Sequence, residues 1–134
     1  MKVLAWTLQV LLAIFFFFHG WVYIVWPDFF TEMVRQQNPN SAGLALSATF
    51  RVFIGIAELL GAVGLILPGL TRIMPMLTSW AAGGLSLTML SAIVFHLMHS
   101  EATNILGPVV FFVLSVCVAY LRWKVVPFSE SPKK

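Results

Sequence analysis

The sequence predicts an all-α integral membrane protein, built as a four-helix bundle, and three observations support this prediction. Hydrophobic residues make up 60% of the chain and charged residues only 10%, whereas an ordinary soluble domain is about 25% charged. The mean hydropathy is +0.93. Four apolar runs each come close to the roughly 20 residues that a helix needs to cross a bilayer. So few charges would not cover a soluble core, and we expect a single transmembrane domain over residues 1–134.

The four apolar runs cover residues 3–26, 47–67, 78–98 and 104–122. Proline, glycine or short polar stretches such as HSEATN separate them, as is typical of helix ends. Because backbone groups in lipid must hydrogen-bond within the protein, each run is predicted to be a helix. A cleaved signal peptide is the alternative interpretation of the first run. That run, however, continues to Trp26, and no small-residue cleavage site follows its phenylalanine block.

The distribution of lysine and arginine predicts the orientation of the spans. With four spans, both termini lie on the same side as the loop between spans two and three. That side holds six of the eight basic residues, namely Lys2, Arg72, Arg122, Lys124, Lys133 and Lys134. The loops on the other side hold only Arg35. The positive-inside rule therefore predicts a multi-pass protein of the cell (inner) membrane with both termini in the cytoplasm. No basic face of the kind that binds nucleic acid is present.

The first outer loop, PDFFTEMVRQQNPNSAG, has a pattern of its own. Phe29, Phe30, Met33 and Val34 recur at helical spacing, with charged and amide residues between them. This pattern predicts a short interfacial helix between spans one and two. The alternative is a loop that is anchored only by its two phenylalanines.

Two charges lie inside the second span, in the stretch FRVFIGIAELLGAVGLILPG. Arg51 and Glu58 are seven residues apart, so they share one helix face about 10.5 Å apart along the axis. Charges within spans normally face the interior of a bundle. Gly55 lies between them, and Ala62 follows one turn after Glu58.

The third span has a matching line of mostly small residues. Small side chains allow neighbouring helices to approach closely. The short connection makes spans two and three antiparallel neighbours. We therefore expect the face of Gly55 and Ala62 to pack against a face formed by Gly84, Thr88, Ala92 and His96.

The polar residues fall at similar depths, which predicts a shared polar layer in the outer half of the bundle. The candidate ligand-binding residues of this layer are Arg51, Glu58, His96, His19 and Tyr23. The alternative is that they only fix the register of the helices, since buried polar groups also do this without a catalytic role. The other polar residues near the membrane edges are interpreted as a solvated turn or as interfacial, namely His99 and Glu101, and Gln9 and Tyr120.

At these residues the sequence resembles the DoxX-like family of small four-helix membrane proteins (DoxX and DoxD, with a distant NACHO-type branch). The family pattern falls on Arg51, Gly55, Glu58, Leu65, Pro68 and His96, within a match that runs from about residue 50 to 122. The resemblance implies roles in thiosulfate:quinone oxidoreduction, in membrane oxidoreductase complexes or, for the animal branch, in receptor assembly. Family members often have a lysine shortly after the glycine of span one, where this chain has GWVYI.

The leading functional hypothesis is a binding or accessory module of a membrane complex. A lipophile such as a quinone would place its apolar body between helices while polar groups bind its oxygens. Alternatively, the polar layer would bind a transmembrane helix of a membrane-protein partner or of a second copy.

The second hypothesis is a quinone-linked membrane oxidoreductase in which Glu58 and His96 act as an acid–base pair. Haem ligated by His19 and His96 is a special case of this hypothesis. No metal-ligand cluster, redox cysteine pair or nucleotide-binding glycine motif is visible in the sequence. A small-solute transporter is the third hypothesis.

Overall fold

The computed structural model describes residues 1–128, and these residues are almost entirely helical. The helices are α1 (Lys2–Val25), α2 (Pro27–Gln37), α3 (Ala48–Thr71), α4 (Met76–Met98) and α5 (Leu106–Tyr120). Two 3₁₀ turns, Ala42–Ala45 and Ala102–Ile105, lie in the loops, and α5 continues as a π-helical turn over Leu121–Val125. Within the described residues there is no strand.

Four helical segments are long and apolar enough to cross a membrane: Lys2–Val25, Ala48–Thr71, Met76–Met98 and Ala102–Val125. The prediction of an all-α protein with four membrane-spanning helices is therefore confirmed. They pack in the circular order α1, α3, α4, α5. The core includes Leu12, Phe16, Leu65, Leu85 and Val118, which come from all four helices. Much of the outer surface is apolar, as a bilayer environment requires.

Helices α1 and α3 cross with their backbones in close contact at two glycines. A Cβ atom added to Gly20 would lie 2.7 Å from the carbonyl oxygen of Gly55. A Cβ atom on Gly55 would lie 2.9 Å from the carbonyl oxygen of Gly20. The two backbones can come this close only because both residues at the crossing are glycines and have no Cβ atom. This crossing determines which side chains of α1 and α3 meet.

The predicted contact between the small-residue faces of spans two and three is wrong in its details. Gly55 packs against α1, and Ala62 lies in the core. The small residues of α3 that approach α4 are instead Gly61 and Gly64, which meet Leu85 and Ala81. The predicted partners on α4 were Gly84, Thr88, Ala92 and His96. The face of α3 that packs against α4 is offset from the predicted face by about one residue, which is about 100° around the helix axis.

Gly84 has open space where the prediction expected a helix. A Cβ atom added to it would meet nothing within 4 Å. Gly84 lines an apolar groove of about 280 Å³ between α3 and α4, together with Ala57, Leu60, Gly61, Ala81, Leu85 and Thr88. Thr88 donates a hydrogen bond to the carbonyl of Gly84 within its own helix. The small-residue face of α4 therefore borders a groove and does not form the contact itself.

The short helix predicted between spans one and two is present as α2. Pro27 occupies its first turn, where a missing N–H is tolerated, and Phe30 is buried against Val22 and Tyr23 of α1. Phe29 and Met33 are exposed. The location of α2 at a membrane surface remains a prediction.

The end of α3 differs from the expected boundary at residue 67. Pro68 lies inside the helix, which continues to Thr71 and ends at Arg72 in the left-handed conformation (φ 56°). A proline in a helix removes one backbone hydrogen bond, which often ends the helix. The buried side chain of Gln9 donates a hydrogen bond to the carbonyl of Leu65, three residues before the proline. This contact fixes α1 against the last part of α3.

Candidate functional site

The buried carboxylate of Glu58 is the centre of the candidate site. Glu58 lies in the middle of α3, and its side chain is 0% exposed. Its Oε2 lies 2.7 Å from Nδ1 of His19 on α1. Its other oxygen, Oε1, is buried and has no hydrogen-bond partner among residues 1–128. The bundle thus encloses an acidic group that is only half satisfied, away from the lipid.

The glycine crossing explains why these two side chains meet. His19 precedes Gly20, and a Cβ atom on Gly20 would lie 3.2 Å from Cβ of Glu58. Since the backbones of α1 and α3 are so close at this level, the short carboxylate arm of Glu58 reaches the imidazole of His19 directly. A larger residue at Gly20 or Gly55 would separate the pair.

Aromatic side chains surround the imidazole of His19. Phe15 stacks against it with ring centroids 5.6 Å apart, and Tyr23 lies against it at 4.6 Å. Phe30 of α2 approaches the imidazole edge-on at 6.5 Å and packs against Tyr23 at 4.4 Å. These contacts fix the plane of the ring. Helix α2 therefore contributes one wall of the site.

The arrangement of His19 allows it to bind a further group. Its side chain is 31% exposed, so it connects the buried Glu58 with the surface of the bundle. A histidine that is held through Nδ1 by a carboxylate is free to use Nε2. Nε2 of a neutral ring accepts a hydrogen bond from a hydroxyl, whereas a protonated ring donates one to a carbonyl oxygen.

Arg51, the other charge of span two, does not form an ion pair with Glu58. The hydrogen bond of the Glu58 carboxylate goes to His19. Arg51 is partly exposed near the start of α3, and its Nε is buried without a hydrogen-bond partner among residues 1–128. Both charged residues of the family pattern thus retain unused hydrogen-bonding capacity within the described part of the chain.

His96 belongs to a second polar cluster and not to the Glu58 site. Its Nδ1 lies 2.7 Å from Oε2 of Glu101. The other oxygen of Glu101 accepts a hydrogen bond from the backbone N–H of Ala42 at 2.6 Å, and Asn104 donates a weaker one to Oε2 at 3.3 Å. The expected single polar layer is therefore divided in two, and the proposed acid–base partners Glu58 and His96 have different partners.

The interpretation of Glu101 as part of a solvated turn is wrong. Glu101 is only 8% exposed, and it joins the loop after α2 to the connection between α4 and α5. Burial by itself raises the pKa of this carboxyl, but the hydrogen bonds from Ala42, His96 and Asn104 outweigh it. Together they lower the pKa from its ordinary 4.5 to about 2. Glu101 is therefore a charged structural link between two loops at the same end of the bundle.

A third polar cluster, at the opposite end of the bundle, was not predicted from the sequence. Gln9, interpreted as interfacial, is 0% exposed, and Arg122 is 4% exposed. Nε of Arg122 donates a hydrogen bond to Oε1 of Gln9 at 2.7 Å. The sequence shows that Gln9 and Arg122 are polar residues within apolar runs. It does not show that they pair, because 113 residues separate them in the chain.

Within residues 1–128, no three histidine, cysteine, aspartate or glutamate side chains gather in a way that would hold a metal ion. The apolar groove between α3 and α4 is lined by none of the predicted ligand-binding residues. Of those five residues, the structure brings His19, Glu58 and Tyr23 together. It places His96 elsewhere.

The chain matches a known protein family over most of its length. No curated protein and no solved structure matches it. A family model described as the DoxX-like family matches residues 7–118, which include His19 and all of α3. With this match and with four helices able to span a membrane, the chain belongs to the DoxX-like family.

Proposed function

We propose that this protein binds a small lipophile bearing hydroxyl or carbonyl groups, with a quinone as the leading example. It would act as a binding or accessory subunit of a membrane complex, in the cell (inner) membrane. The observation that supports this proposal is the His19–Glu58 pair. A fully buried carboxylate keeps one oxygen without a partner among residues 1–128, while its histidine partner remains partly accessible.

The chemistry of the pair suits such a ligand. Nε2 of His19 would bind a hydroxyl or carbonyl oxygen of the ligand, while Glu58 holds Nδ1 and fixes the ring. The aromatic side chains of Phe15, Tyr23 and Phe30 would contact an apolar ring or chain. A few polar anchors among apolar walls are the usual composition of a small-molecule site.

The cost of burial is a second argument for a ligand. A charged side chain at the centre of a bilayer costs roughly 2.5–3.5 kcal/mol on insertion scales. A buried polar atom without a hydrogen bond adds about 1–3 kcal/mol. A ligand hydroxyl that donates to Oε1 of Glu58 would remove this second penalty. A purely structural pair would be expected to use both oxygens, as Glu101 does.

The experiment uses the full-length protein purified in mild detergent, followed by solvent extraction and mass spectrometry of bound lipophiles. We expect the wild type to retain a specific hydroxyl- or carbonyl-bearing lipophile, and His19→Gln and Glu58→Gln to lose it. Ser91→Ala is the matched control, because Ser91 is an exposed polar residue that bonds only within α4. Equal retention by all four proteins, or an empty wild type, would refute the proposal.

A further inference from the structure

The end of the bundle that carries the N-terminus contains a second cavity with a different chemistry. Its volume is about 220 Å³, and it lies between the start of α1, the end of α3 and the π-helical turn after α5. Its charged lining residues are Lys2, Arg72 and Arg122, and no carboxylate of residues 1–128 lines it. We call it the cationic cavity, after these three residues. His19 is about 25 Å further along α1.

The three positive charges have no counter-charge within the described part of the chain. None of them forms an ion pair there, since the ion pairs among residues 1–128 involve His19, Arg35 and His96 as the basic partners. Buried charges normally have partners, because removal from water without compensation is costly. Within residues 1–128, no carboxylate balances these charges.

Arg122 is the buried member of the three, and it is held rigidly. Its Nε donates a hydrogen bond to Gln9, and its Nη1 donates one to the carbonyl of Val126 at 3.3 Å. The guanidinium lies over the rings of Phe128 and Trp6, at 3.8 and 5.1 Å from their centroids. These contacts fix the guanidinium plane before any ligand binds.

One donor group of this guanidinium is unused. Nη2 of Arg122 is buried and has no hydrogen-bond partner among residues 1–128. The whole residue is only 4% exposed. A guanidinium fork suits anions with several acceptor oxygens. Lys2 and Arg72 are exposed and would bind the remaining oxygens of such an anion at the mouth of the cavity.

We propose that the cationic cavity binds the phosphate group of an anionic molecule, with Arg122 as the buried anchor and Lys2 and Arg72 at the mouth. The location at the ends of three membrane-spanning helices fits a phospholipid headgroup, because basic pockets between transmembrane helices bind anionic lipids. Free phosphate offers the same chemistry from solution. This inference does not depend on the proposed function at His19 and Glu58.

The test measures binding to the delipidated full-length protein by native mass spectrometry and by the shift of its thermal unfolding midpoint. The probes are dioleoylphosphatidylglycerol, dioleoylphosphatidylcholine and inorganic phosphate. We expect a 1:1 complex with phosphatidylglycerol and a weaker one or none with phosphatidylcholine. Binding of inorganic phosphate as tight as that of phosphatidylglycerol would identify the soluble anion as the source. No binding of either anion would overturn the proposal.

Variants decide whether the cavity is the binding site. We expect Lys2→Gln and Arg72→Gln each to weaken phosphatidylglycerol binding about fivefold, which corresponds to ~1 kcal/mol per basic residue. Both residues are exposed, so folding is preserved even if substitutions of Arg122 prevent it. Lys124→Gln is the matched control, because Lys124 is a nearby exposed cation that packs on Trp123 and does not line the cavity. Equal weakening by all three substitutions would show unspecific attraction and overturn the proposal.

One further variant tests a competing occupant. Glu130 lies outside the described residues, two positions after Phe128 in the sequence. If phosphatidylglycerol binds Glu130→Gln but not the wild type, then a carboxylate of the chain itself fills the cavity and the proposal is overturned. Equal binding by Glu130→Gln and the wild type supports it.

Discussion

At the scale of single residues, the buried carboxylates of Glu58 and Glu101 differ in how completely they are hydrogen-bonded. Glu101 uses both oxygens, accepting hydrogen bonds from Ala42 and His96. Glu58 is more deeply buried but uses only the oxygen that faces His19. A satisfied buried charge is a structural element, whereas an incompletely satisfied one has remaining capacity for a ligand. This contrast is the reason for proposing a ligand at Glu58 and a structural role for Glu101.

The depressed pKa of Glu101 predicts a pH-dependent stability. Its pKa is about 2 in the folded protein and 4.5 ordinarily, so the unfolded chain binds the proton more readily. The stabilisation is therefore fully present above pH 4.5 and is lost as the pH falls towards 2. Thermal unfolding in detergent should show a falling midpoint over this interval for the wild type. Glu101→Gln should be less stable at neutral pH and show a flatter profile; an unchanged profile would contradict the assignment.

Gln9 allows a second prediction at the residue scale. It is fully buried and links the guanidinium of Arg122 with the carbonyl of Leu65. Gln9→Ala leaves buried polar groups without partners, so we expect a loss of about 1–3 kcal/mol in the free energy of unfolding. Thr7→Ala is the control, since Thr7 is exposed and bonds only to Val3 of its own helix. Similar stability of the two variants would show that the buried link is unimportant.

At the scale of helices, glycine positions decide which faces meet. The sequence identified small residues on α3 and α4 but not which of them are in contact. Gly20 and Gly55 form the crossing of α1 and α3, whereas Gly83 and Gly84 have no atom within 4 Å of an added Cβ. A line of small residues allows a neighbouring helix to approach closely, but the sequence does not show which helix packs against that face. This ambiguity is why the expected contact of Gly84 was wrong.

The crossing of α1 and α3 predicts different effects on stability when two glycines, Gly20 and Gly83, are replaced by alanine. Gly20→Ala would place a methyl group 2.7 Å from the carbonyl oxygen of Gly55, so we expect destabilisation by about 1–3 kcal/mol. Gly83→Ala has open space and should be neutral or stabilising by up to about 1 kcal/mol, because alanine favours the helix. The midpoints of thermal unfolding of both variants should be compared with the wild type. The same change for both would contradict the observed crossing.

At the scale of the whole molecule, the sequence was sufficient for the fold class and the four helices. Four long apolar runs and so few charges in a chain of 134 residues fit a membrane bundle and do not fit a soluble core. The candidate site was predicted as a set of residues, and Glu58, His19 and Tyr23 do meet. The partner of each residue was not predictable, because it depends on the rotation of α3 against α1 and on the loop that brings Ala42 to Glu101.

The orientation of the bundle is a prediction at this scale. In a Cys117→Ser background, single cysteines at Asn40→Cys and Lys134→Cys report the two sides of the membrane. We expect a membrane-impermeant maleimide to label Asn40→Cys in intact spheroplasts and Lys134→Cys only after lysis, because the basic residues concentrate on the side of the termini. The reverse pattern would contradict the positive-inside assignment.

The central claim is that His19 and Glu58, and not His96, form the ligand site. The most direct measurement is the affinity of the purified wild type, His19→Gln and His96→Gln for the lipophile retained by the wild type. The account predicts at least a tenfold loss for His19→Gln, as expected for about 1.4 kcal/mol from one lost hydrogen bond. It predicts near wild-type affinity for His96→Gln, whose partner is Glu101. Equal losses in the two variants, or a loss confined to His96→Gln, would contradict the claim.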